Sequence, residues 1–303
     1  MLAGTVRKLR VTVPAIQGQA SDIDDIQDPF MLAHRMLELD GRRETRKCDS
    51  RLRMSSINDV CVRAQLIGLR KDISKTENIA IGMRVTFDVG NAIHDFLQNC
   101  DGYLGKNRLG WWRCLACGSK IFGRRPNANC KSCGALSYAS RYVEHALRMP
   151  DDLPVSGHID GFVEVAPADI RIIDFKTISG EEFVKLTAPK PEHCVQVNGY
   201  MHYIGKDKNI PVEVNQRSGF LLYVSKKHVH NGLPFKLFHV HRNQDVVHFI
   251  ENKVALFKRG LDDVTFFPDP LRICAESDFT ASACRACHVM SYCKAVHHGQ
   301  PLS

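Results

Sequence analysis

The sequence predicts a mixed α/β fold, in which helices flank a central sheet. Apolar residues recur at helical spacing before residue 100, four strand-like apolar segments follow between residues 157 and 242, and further helical segments lie among and after them. The chain has 303 residues, of which 44% are hydrophobic and 24% are charged, as in ordinary globular proteins. It contains no apolar run long enough to predict a transmembrane helix, so we expect no membrane association.

Each predicted element follows from its own pattern. Apolar residues in 55–69 suit a helix that Ser55 or Ser56 can cap, and residues 84–100 carry one apolar stripe. An earlier helix is predicted at 29–39, and two later ones at about 192–204 and 245–261. Strands are predicted at 157–165, 170–177, 219–225 and 234–242. Residues 106–140 are rich in Gly, Cys, Arg and Asn and show no sustained helical or strand period, so we interpret them as an inserted module.

The cysteines indicate metal sites. The N-terminus lacks the apolar core of a secretory signal, so we expect the protein in a reducing cytoplasm. Clustered cysteines there favour metal ligation over disulfide bonds. The spacing Cys-x2-Cys-x12-Cys-x2-Cys within the insert is a strong signature of a tetrahedral zinc site, and its ligands would be Cys114, Cys117, Cys130 and Cys133.

The insert is also the basic part of the chain. Residues 106–141 contain eight Lys or Arg residues and no acidic residue, while the whole chain has a net charge of +8. A solvated surface loop would explain a charge run by itself, and a structural knuckle would explain the cysteines. The aromatic residues Trp111, Trp112 and Phe122 beside the arginines favour a nucleic-acid-binding ribbon instead. We predict DNA contacts from Arg113, Lys120, Arg124, Arg125 and Lys131.

The densest chemical signal lies in the predicted strands. Asp174 and Lys176 are two residues apart in Ile-Asp-Phe-Lys-Thr, so they share one face of a strand. Asp160, in Gly-His-Ile-Asp-Gly, ends a neighbouring strand. Two converging carboxylates can hold a hard divalent cation, which lowers the pKa of a water and neutralises charge on a phosphate. Lys176 would orient that water or stabilise the charged transition state. Asp-x-Lys alone also occurs at exposed strand edges.

The order of further residues resembles the RecB-like nucleases of the PD-(D/E)XK superfamily. The pattern is a helical His, then Gly-x-x-Asp, Asp-x-Lys and Gln-x3-Tyr, and it matches His94, Asp160, Asp174 with Lys176, and Gln196 with Tyr200; Glu144 precedes the Gly-His-Ile-Asp segment. The resemblance implies a restriction-endonuclease-like core. It also implies that Mg²⁺ or Mn²⁺ is held by His94, Asp160, Asp174 and the carbonyl of Phe175. Gln196 and Tyr200 would position DNA or the metal-bound water.

A C-terminal cysteine group narrows the resemblance. Cys284, Cys287 and Cys293 supply three thiolates, and either the nearby Cys274 or the distant Cys61 could complete a four-thiolate site for iron–sulfur or zinc. Cys61 follows two serines and precedes Arg63. In this the chain is similar to the fourth CRISPR-associated (Cas) protein family and the AddB nuclease domain. That resemblance implies a structural [4Fe–4S] cluster on Cys61, Cys284, Cys287 and Cys293. These relatives do not usually carry the zinc ribbon.

The sequence therefore predicts four regions. They are an N-terminal helical region (1–105), the basic zinc ribbon (106–140), the nuclease core (141–270) and an iron–sulfur segment that clamps the helical ends (271–303). The expected function is a metal-dependent deoxyribonuclease, an exonuclease on single-stranded DNA ends, in recombination, repair, replication or CRISPR-type processing. A small ribbon-bearing nuclease would suit a phage, which would place it in the host cytoplasm. The alternative is a DNA-binding or assembly module without turnover. Polarity, protein partners, oligomeric state and a role for residues 1–50 do not follow from the sequence.

Overall fold

The computed structural model describes residues 43–78, 80–99, 105–150, 152–229 and 232–300. The predicted helix at 29–39 lies outside these residues. None of the described helices has the length and apolar character needed to cross a membrane. The α-helices of the described part are α1 (Val62–Arg70), α2 (Ile81–Asn99), α3 (Gly180–Lys185), α4 (Pro191–Ile204), α5 (Gln244–Asp262), α6 (Arg272–Glu276), α7 (Ser282–Arg285) and α8 (Met290–His297).

The described strands form three sheets. They are β1 (Arg43–Arg46), β2 (Leu52–Arg53), β3 (Lys75–Asn78), β4 (Arg108–Cys114), β5 (Lys120–Gly123), β6 (Ser140–Val143), β7 (His145–Arg148), β8 (Val155–Ile159), β9 (Gly161–Ala166), β10 (Asp169–Ile178), β11 (Ser218–Ser225) and β12 (Phe235–His241). The central sheet has the order β12-β11-β10-β9-β4-β5, and β6 also pairs with β4. A small sheet has the order β2-β8-β7, and β1 pairs with β3.

The central sheet is mixed, as predicted. Strand β10 runs parallel to β11 and antiparallel to β9, and β11 is antiparallel to β12. Strand β10 alternates its side chains between two helical layers. Ile172 belongs to the main core with Tyr200 and Val197 of α4, whereas Ile173 and Phe175 belong to a second core that includes Leu97 of α2. The prediction of a mixed sheet between helices is confirmed.

One predicted strand is two strands. Residues 157–165 were expected to be continuous, but β8 ends at Ile159, β9 begins at Gly161, and Asp160 lies between them. Strand β8 pairs with β7 and β2, whereas β9 pairs with β10 and β4. The chain therefore passes from the small sheet to the central sheet at Asp160. The alternation of apolar and polar residues could not reveal this break. Both halves bury one face, and the alternation does not show which strands each half pairs with.

The helix predicted at 55–69 is shorter and has a different start. Residues Met54–Ser56 form a 3-10 turn, and α1 begins at Val62 with Cys61 as its N-cap residue and without a side-chain cap. The ammonium of Lys253 on α5 donates to the carbonyls of Ile57, Asn58 and Val60 at 2.9, 2.8 and 3.1 Å. These three carbonyls are therefore satisfied by a side chain from a distant helix instead of by the backbone N–H groups of a continuing helix.

The ribbon contains strands that its composition did not predict. Strand β4 pairs at its start with β9, through Arg108 with Val163 and Leu109 with Phe162. Its later residues pair with β5 on one side and β6 on the other. Trp112 of β4 is 1% exposed, and its ring packs edge-on against that of Tyr142 on β6. The ribbon is thus a continuation of the central sheet, because β4 belongs to both.

Close packing of α1 against α5 gives a test of the fold. A Cβ atom added at Gly260 would lie 2.2 and 2.8 Å from the two methyl carbons of the buried Leu66. We expect Gly260→Ala to lower the free energy of unfolding by about 1–3 kcal/mol, because overpacking forces displacements. Gly82→Ala is the control, since nothing lies within 4 Å of that position on α2, and it should stabilise the helix by up to about 1 kcal/mol. Urea denaturation of both variants measures this, and equal effects would contradict the packing.

Candidate active site

The residues singled out in the predicted strands and helices meet in one cleft of about 540 Å³. Asp160 lies at the junction of β8 and β9, and Asp174 and Lys176 lie on β10. Because β9 and β10 are antiparallel neighbours, with Gly161 opposite Ile173, the two carboxylates come to the same place. The helices supply the other residues that line the cleft: His94 from α2, and Gln196 and Tyr200 from α4.

Asp160 is held by the backbone of the neighbouring strand. Its Oδ2 accepts a hydrogen bond from the N–H of Phe175 at 2.6 Å and lies 3.8 Å from Nδ1 of His94. Burial, and then the negative charge of Asp174, raise the pKa of this carboxyl well above its usual range. The side chain of Phe175 is fully buried on the opposite face. Ligation by the Phe175 carbonyl stays a prediction.

Asp174 is fully buried and incompletely satisfied. Its Oδ1 accepts a hydrogen bond from Nε2 of Gln196 at 3.3 Å. Its Oδ2 lies 2.7 Å from the ammonium of Lys176, and no other group of the described chain donates a hydrogen bond to it. One ammonium meets only part of the acceptor capacity of this buried carboxylate, and the remaining lone pairs are costly unless a second cation or water meets them. The donor set therefore fits a hard divalent cation.

A third carboxylate, Glu144, joins the site between β6 and β7. One ligand atom each from His94, Glu144 and Asp160 lie within 4.8 Å of one another. Gln98, one turn after His94 on α2, donates to Oε1 of Glu144 at 3.0 Å and to the Asp160 carbonyl at 3.3 Å. The sequence places Glu144 before the Gly-His-Ile-Asp segment but does not identify it as a ligand. Its partner Gln98 is separated from it by 46 residues, so no local pattern joins the two.

His94 is suited to ligation. Burial, and then the positive charge of Lys176, lower the pKa of its imidazole. The neutral ring keeps a lone pair for a cation at neutral pH.

Gln196 and Tyr200 lie one turn apart on α4 and hold Asp174. Nε2 of Gln196 donates to the Tyr200 hydroxyl at 3.0 Å as well as to Asp174. Tyr200 is 1% exposed, and burial raises the pKa of its hydroxyl. Its ring lies against Gly157, where an added Cβ would come within 2.7 Å. The pair orients the Asp174 carboxylate. Contact of Gln196 and Tyr200 with DNA or the metal-bound water stays a prediction.

The four cysteines of the ribbon form a site that could hold a metal ion. Their sulfurs all lie within 4.8 Å of one another, and Cys114–Cys133 and Cys117–Cys130 are each 3.7 Å apart. A tetrahedral zinc ion with Zn–S bonds of about 2.3 Å requires sulfurs about 3.8 Å apart. The Ser119 hydroxyl, followed by backbone N–H groups, lowers the pKa of Cys130 to about 6, which favours the ligating thiolate.

Both halves of this site are turns of the same form. Gly118 and Gly134, each just after a Cys-x2-Cys pair, have φ values of +77° and +74°. Their N–H groups donate to the carbonyls of Cys114 and Cys130 at 2.8 Å. Each turn requires a residue that tolerates a positive φ, which explains why a glycine follows each Cys-x2-Cys pair.

The C-terminal cysteines gather with Cys61 in one small core. Cys274, Cys284 and Cys293 are buried there, and Cys61 and Cys287 pack against them. Arg63 donates from Nε to the sulfur of Cys293 at 3.2 Å. Cys284 forms a disulfide bond with Cys274, and in that state it has no thiolate for a cluster. Cluster ligation by Cys61, Cys284, Cys287 and Cys293 therefore stays a prediction, and for Cys284 it applies to the reduced protein.

The basic and aromatic residues of the ribbon differ in their surroundings. Trp112 is buried, so it offers no stacking face, whereas Trp111 is half-buried, packs edge-on against Phe122 and donates from its ring nitrogen to Nδ1 of His145 at 3.0 Å. Arg124 forms an ion pair with Glu164 at 2.5 Å, and Arg125 donates to the Asn99 carbonyl at 3.1 Å. Arg113, Lys120 and Lys131 are exposed.

Comparisons give a fold-level likeness at low identity. No protein-family model and no curated protein matches the chain. A crystal structure of an alkaline exonuclease (LHK-Exo) from Laribacter hongkongensis is similar at 14% identity, over 71% of this chain and 89% of that one, with a TM-score of 0.41. The structure of the same enzyme with dAMP is 12% identical over 70% of this chain and 88% of that one, with a TM-score of 0.38. The crystal structure of SSO0001 is 13% identical over 75% of this chain and 84% of that one, with a TM-score of 0.34. These TM-scores are low, so the functional assignment rests on the site.

The buried carboxylates give a stability test of the site. Because the pKa of Asp160 is raised, its ionised form costs folding free energy, a cost that appears as pH rises through the folded-state pKa. We expect Asp160→Asn to stabilise the cation-free protein at pH 7 by about 0.5–2 kcal/mol, as is common when a functional site is relieved of strain. Thermal unfolding in EDTA measures this. At pH 3, where the carboxyl is protonated, the difference should vanish; a destabilised variant at pH 7 would contradict the electrostatic argument.

Proposed function

We propose that this protein is a metal-dependent deoxyribonuclease of the PD-(D/E)XK type. The observation that carries the proposal is the fully buried Asp174, whose Oδ2 meets only the ammonium of Lys176 and which lines the same cleft as Asp160. Asp174 and Lys176 share one strand face, and Asp160 lies within ligand distance of His94 and Glu144, an arrangement that suits phosphodiester hydrolysis. The substrate we propose is single-stranded DNA with a free end.

The chain's own residues have separable roles. His94, Glu144, Asp160 and Asp174 would hold Mg²⁺ or Mn²⁺, which when bound supplies charge for the phosphate and an activated water. Lys176 lies at the open side of the pair, 20% exposed, where its ammonium can stabilise charge on the phosphate oxygens. Gln196 fixes the Asp174 carboxylate, and the Phe175 N–H fixes that of Asp160.

The first functional test concerns Asp174 and Lys176. We expect Asp174→Ala or Lys176→Ala to lower the rate of Mn²⁺-dependent cleavage by at least 10²-fold, because the first removes a ligand of the divalent cation and the second removes the positive charge at the reacting phosphate. Affinity for single-stranded DNA should persist, because most of it comes from contacts with the phosphate backbone. End-labelled single- and double-stranded DNA, with mapped products, gives the rate, the polarity and the choice between end and internal cleavage.

Arg272→Ala is the matched control, since its ion pair with Glu276 is exposed on a distant helix. Full turnover in either active-site variant would refute the assignment. Stable DNA binding by the unmodified protein with no cleavage under any divalent cation would favour the alternative, a binding module on a nuclease-like scaffold.

We propose a zinc ion on the ribbon cysteines and a [4Fe–4S] cluster on Cys61, Cys284, Cys287 and Cys293. Sulfur spacing supports the zinc ion. The common core of the C-terminal cysteines and Cys61 supports the cluster, because it joins the start of α1 to α8 across more than two hundred residues of sequence. Such a nuclease would act in recombination, repair, replication or CRISPR-type DNA processing, in a bacterial or phage-infected cytoplasm.

The metal content distinguishes Cys61 from Cys274. Anaerobically purified, reduced protein should be brown and contain about four iron atoms and one zinc ion per chain. Cys61→Ala should remove the colour and the iron, because a ligand is lost, whereas Cys274→Ala should retain both. Elemental analysis and absorption spectra measure this. Loss of iron from Cys274→Ala with its retention in Cys61→Ala would assign the fourth ligand to Cys274.

A further inference from the structure

Three basic residues form a row across the ribbon. In the antiparallel ladder, Arg113 of β4 lies directly opposite Lys120 of β5 on one side and Arg141 of β6 on the other. Directly opposite residues point to the same face of a sheet. All three side chains are exposed. We call Lys120, Arg113 and Arg141 the cationic row; at about 4.8 Å between strands it spans about 10 Å.

This row is unfavourable by itself. Like charges directly opposite on neighbouring strands destabilise a sheet. Arg141 has a carboxylate partner, Asp95 of α2, at 2.6 Å, and that pair is itself about half exposed. Arg113 and Lys120 have no carboxylate partner among the described residues. Two adjacent cations without a counter-charge therefore indicate an anion that comes from outside the chain.

The row lies at the end of a path from the catalytic cleft. A second cavity of about 510 Å³ is lined by Trp111, Lys120 and Glu144. It meets the cleft at Ala146 and His158, which line both cavities and pair across β7 and β8. On β4, Trp111 and Arg113 point to the same face because they are two residues apart. The second cavity thus leads from Glu144 past Trp111 toward the row.

The length of this path fits a short strand. Phe162, two residues after Asp160, pairs with Leu109 of β4. Because β4 and β9 are antiparallel, continuing this register places Trp111 level with Asp160, and Arg113 lies two residues further along β4, about 7 Å at about 3.3 Å per residue. At the B-form spacing of about 3.4 Å per nucleotide along one strand, about two nucleotides cover that distance.

We propose that Arg113, Lys120 and Arg141 bind the phosphate backbone of a single-stranded nucleic acid whose end lies at the Asp160–Asp174 site. The strand occupies the second cavity between β7 and the ribbon. This inference rests on the proposed nuclease function and names the path of its substrate. It keeps Arg113 and Lys120 from the contacts predicted from the sequence, omits Arg124, Arg125 and Lys131, which lie off the row, and adds Arg141, which lies opposite Arg113.

The test is DNA binding by charge-matched double variants in an Asp174→Ala background, without divalent cation, so that the DNA stays intact. Arg113→Ala with Lys120→Ala removes two charges from the row. Lys106→Ala with Lys131→Ala removes two charges from the same ribbon but off the row. The probe is a labelled ten-nucleotide single strand, measured at several salt concentrations. A duplex of the same sequence and a mononucleotide serve as competitors.

The row variant should bind more weakly by roughly 25-fold at 0.1 M salt, with the difference disappearing toward 1 M. This follows from a loss of about 0.7 in salt slope for each of two phosphate contacts. The control variant should bind like the parent. The mononucleotide, too short to extend from the carboxylates to the row, should compete equally well with both. Without DNA, the row variant should have an unchanged or higher Tm, since repulsion is relieved.

If both double variants weaken DNA binding equally, the ribbon attracts DNA by its diffuse charge and the proposed row is wrong. Unchanged DNA binding by the row variant would also overturn the row. Tighter binding of the duplex than of the single strand would overturn the assignment of the strand. These results are separate from the proposed function, because binding is measured without turnover. If the row variant binds DNA weakly but the unmodified protein never cleaves DNA, the row is supported and the nuclease function is refuted.

Discussion

Repulsion between the buried carboxylates of Asp160 and Asp174 is the constraint on which the site depends. Asp174 on β10 is fully buried, Asp160 at the junction of β8 and β9 is 7% exposed to the cleft, and the ammonium of Lys176 lies 2.7 Å from Asp174. The surrounding structure holds the pair by orientation: a backbone N–H fixes Asp160 and an amide fixes Asp174. Folding therefore brings two carboxyl groups together at a cost that is paid when both ionise, and a divalent cation offsets that cost. Stability without the cation and catalytic readiness are opposed in this arrangement.

The passage of the chain between sheets at Asp160 connects the site to the ribbon. Strand β8 belongs to the small sheet and β9 to the central one, so the residue between them is fixed from both sides. The same β9 pairs with β4, which carries the cysteine knuckles and the cationic row. The ribbon is consequently positioned by backbone hydrogen bonds relative to the carboxylates. This makes a defined strand path credible where a flexible appendage would give only general attraction.

The basic ribbon shows why charge counted along a sequence overstates a binding surface. Arg108 is 3% exposed and donates to the Leu97 carbonyl, and Arg124 neutralises Glu164. These residues hold the ribbon to α2 and β9. Arg113 and Lys120 face each other without a counter-charge. Eight basic residues thus divide into those that stabilise the protein and those available to a ligand, and the division depends on partners distant in sequence.

The sequence by itself determined whatever depends on local spacing. The Asp-x-Lys alternation placed Asp174 and Lys176 on one face, the four-residue interval joined Gln196 to Tyr200, and paired Cys-x2-Cys turns made the four-sulfur site. Only the tertiary structure decided the break at Asp160, the entry of Glu144 into the site, the start of α1 and the cationic row. Each of these depends on a pairing that local spacing does not show, and the partner is often tens to hundreds of residues away, such as Gln98 for Glu144 or Lys253 for the residues before α1. Periodicity shows which face of a segment is buried, but strand pairing decides what that face meets.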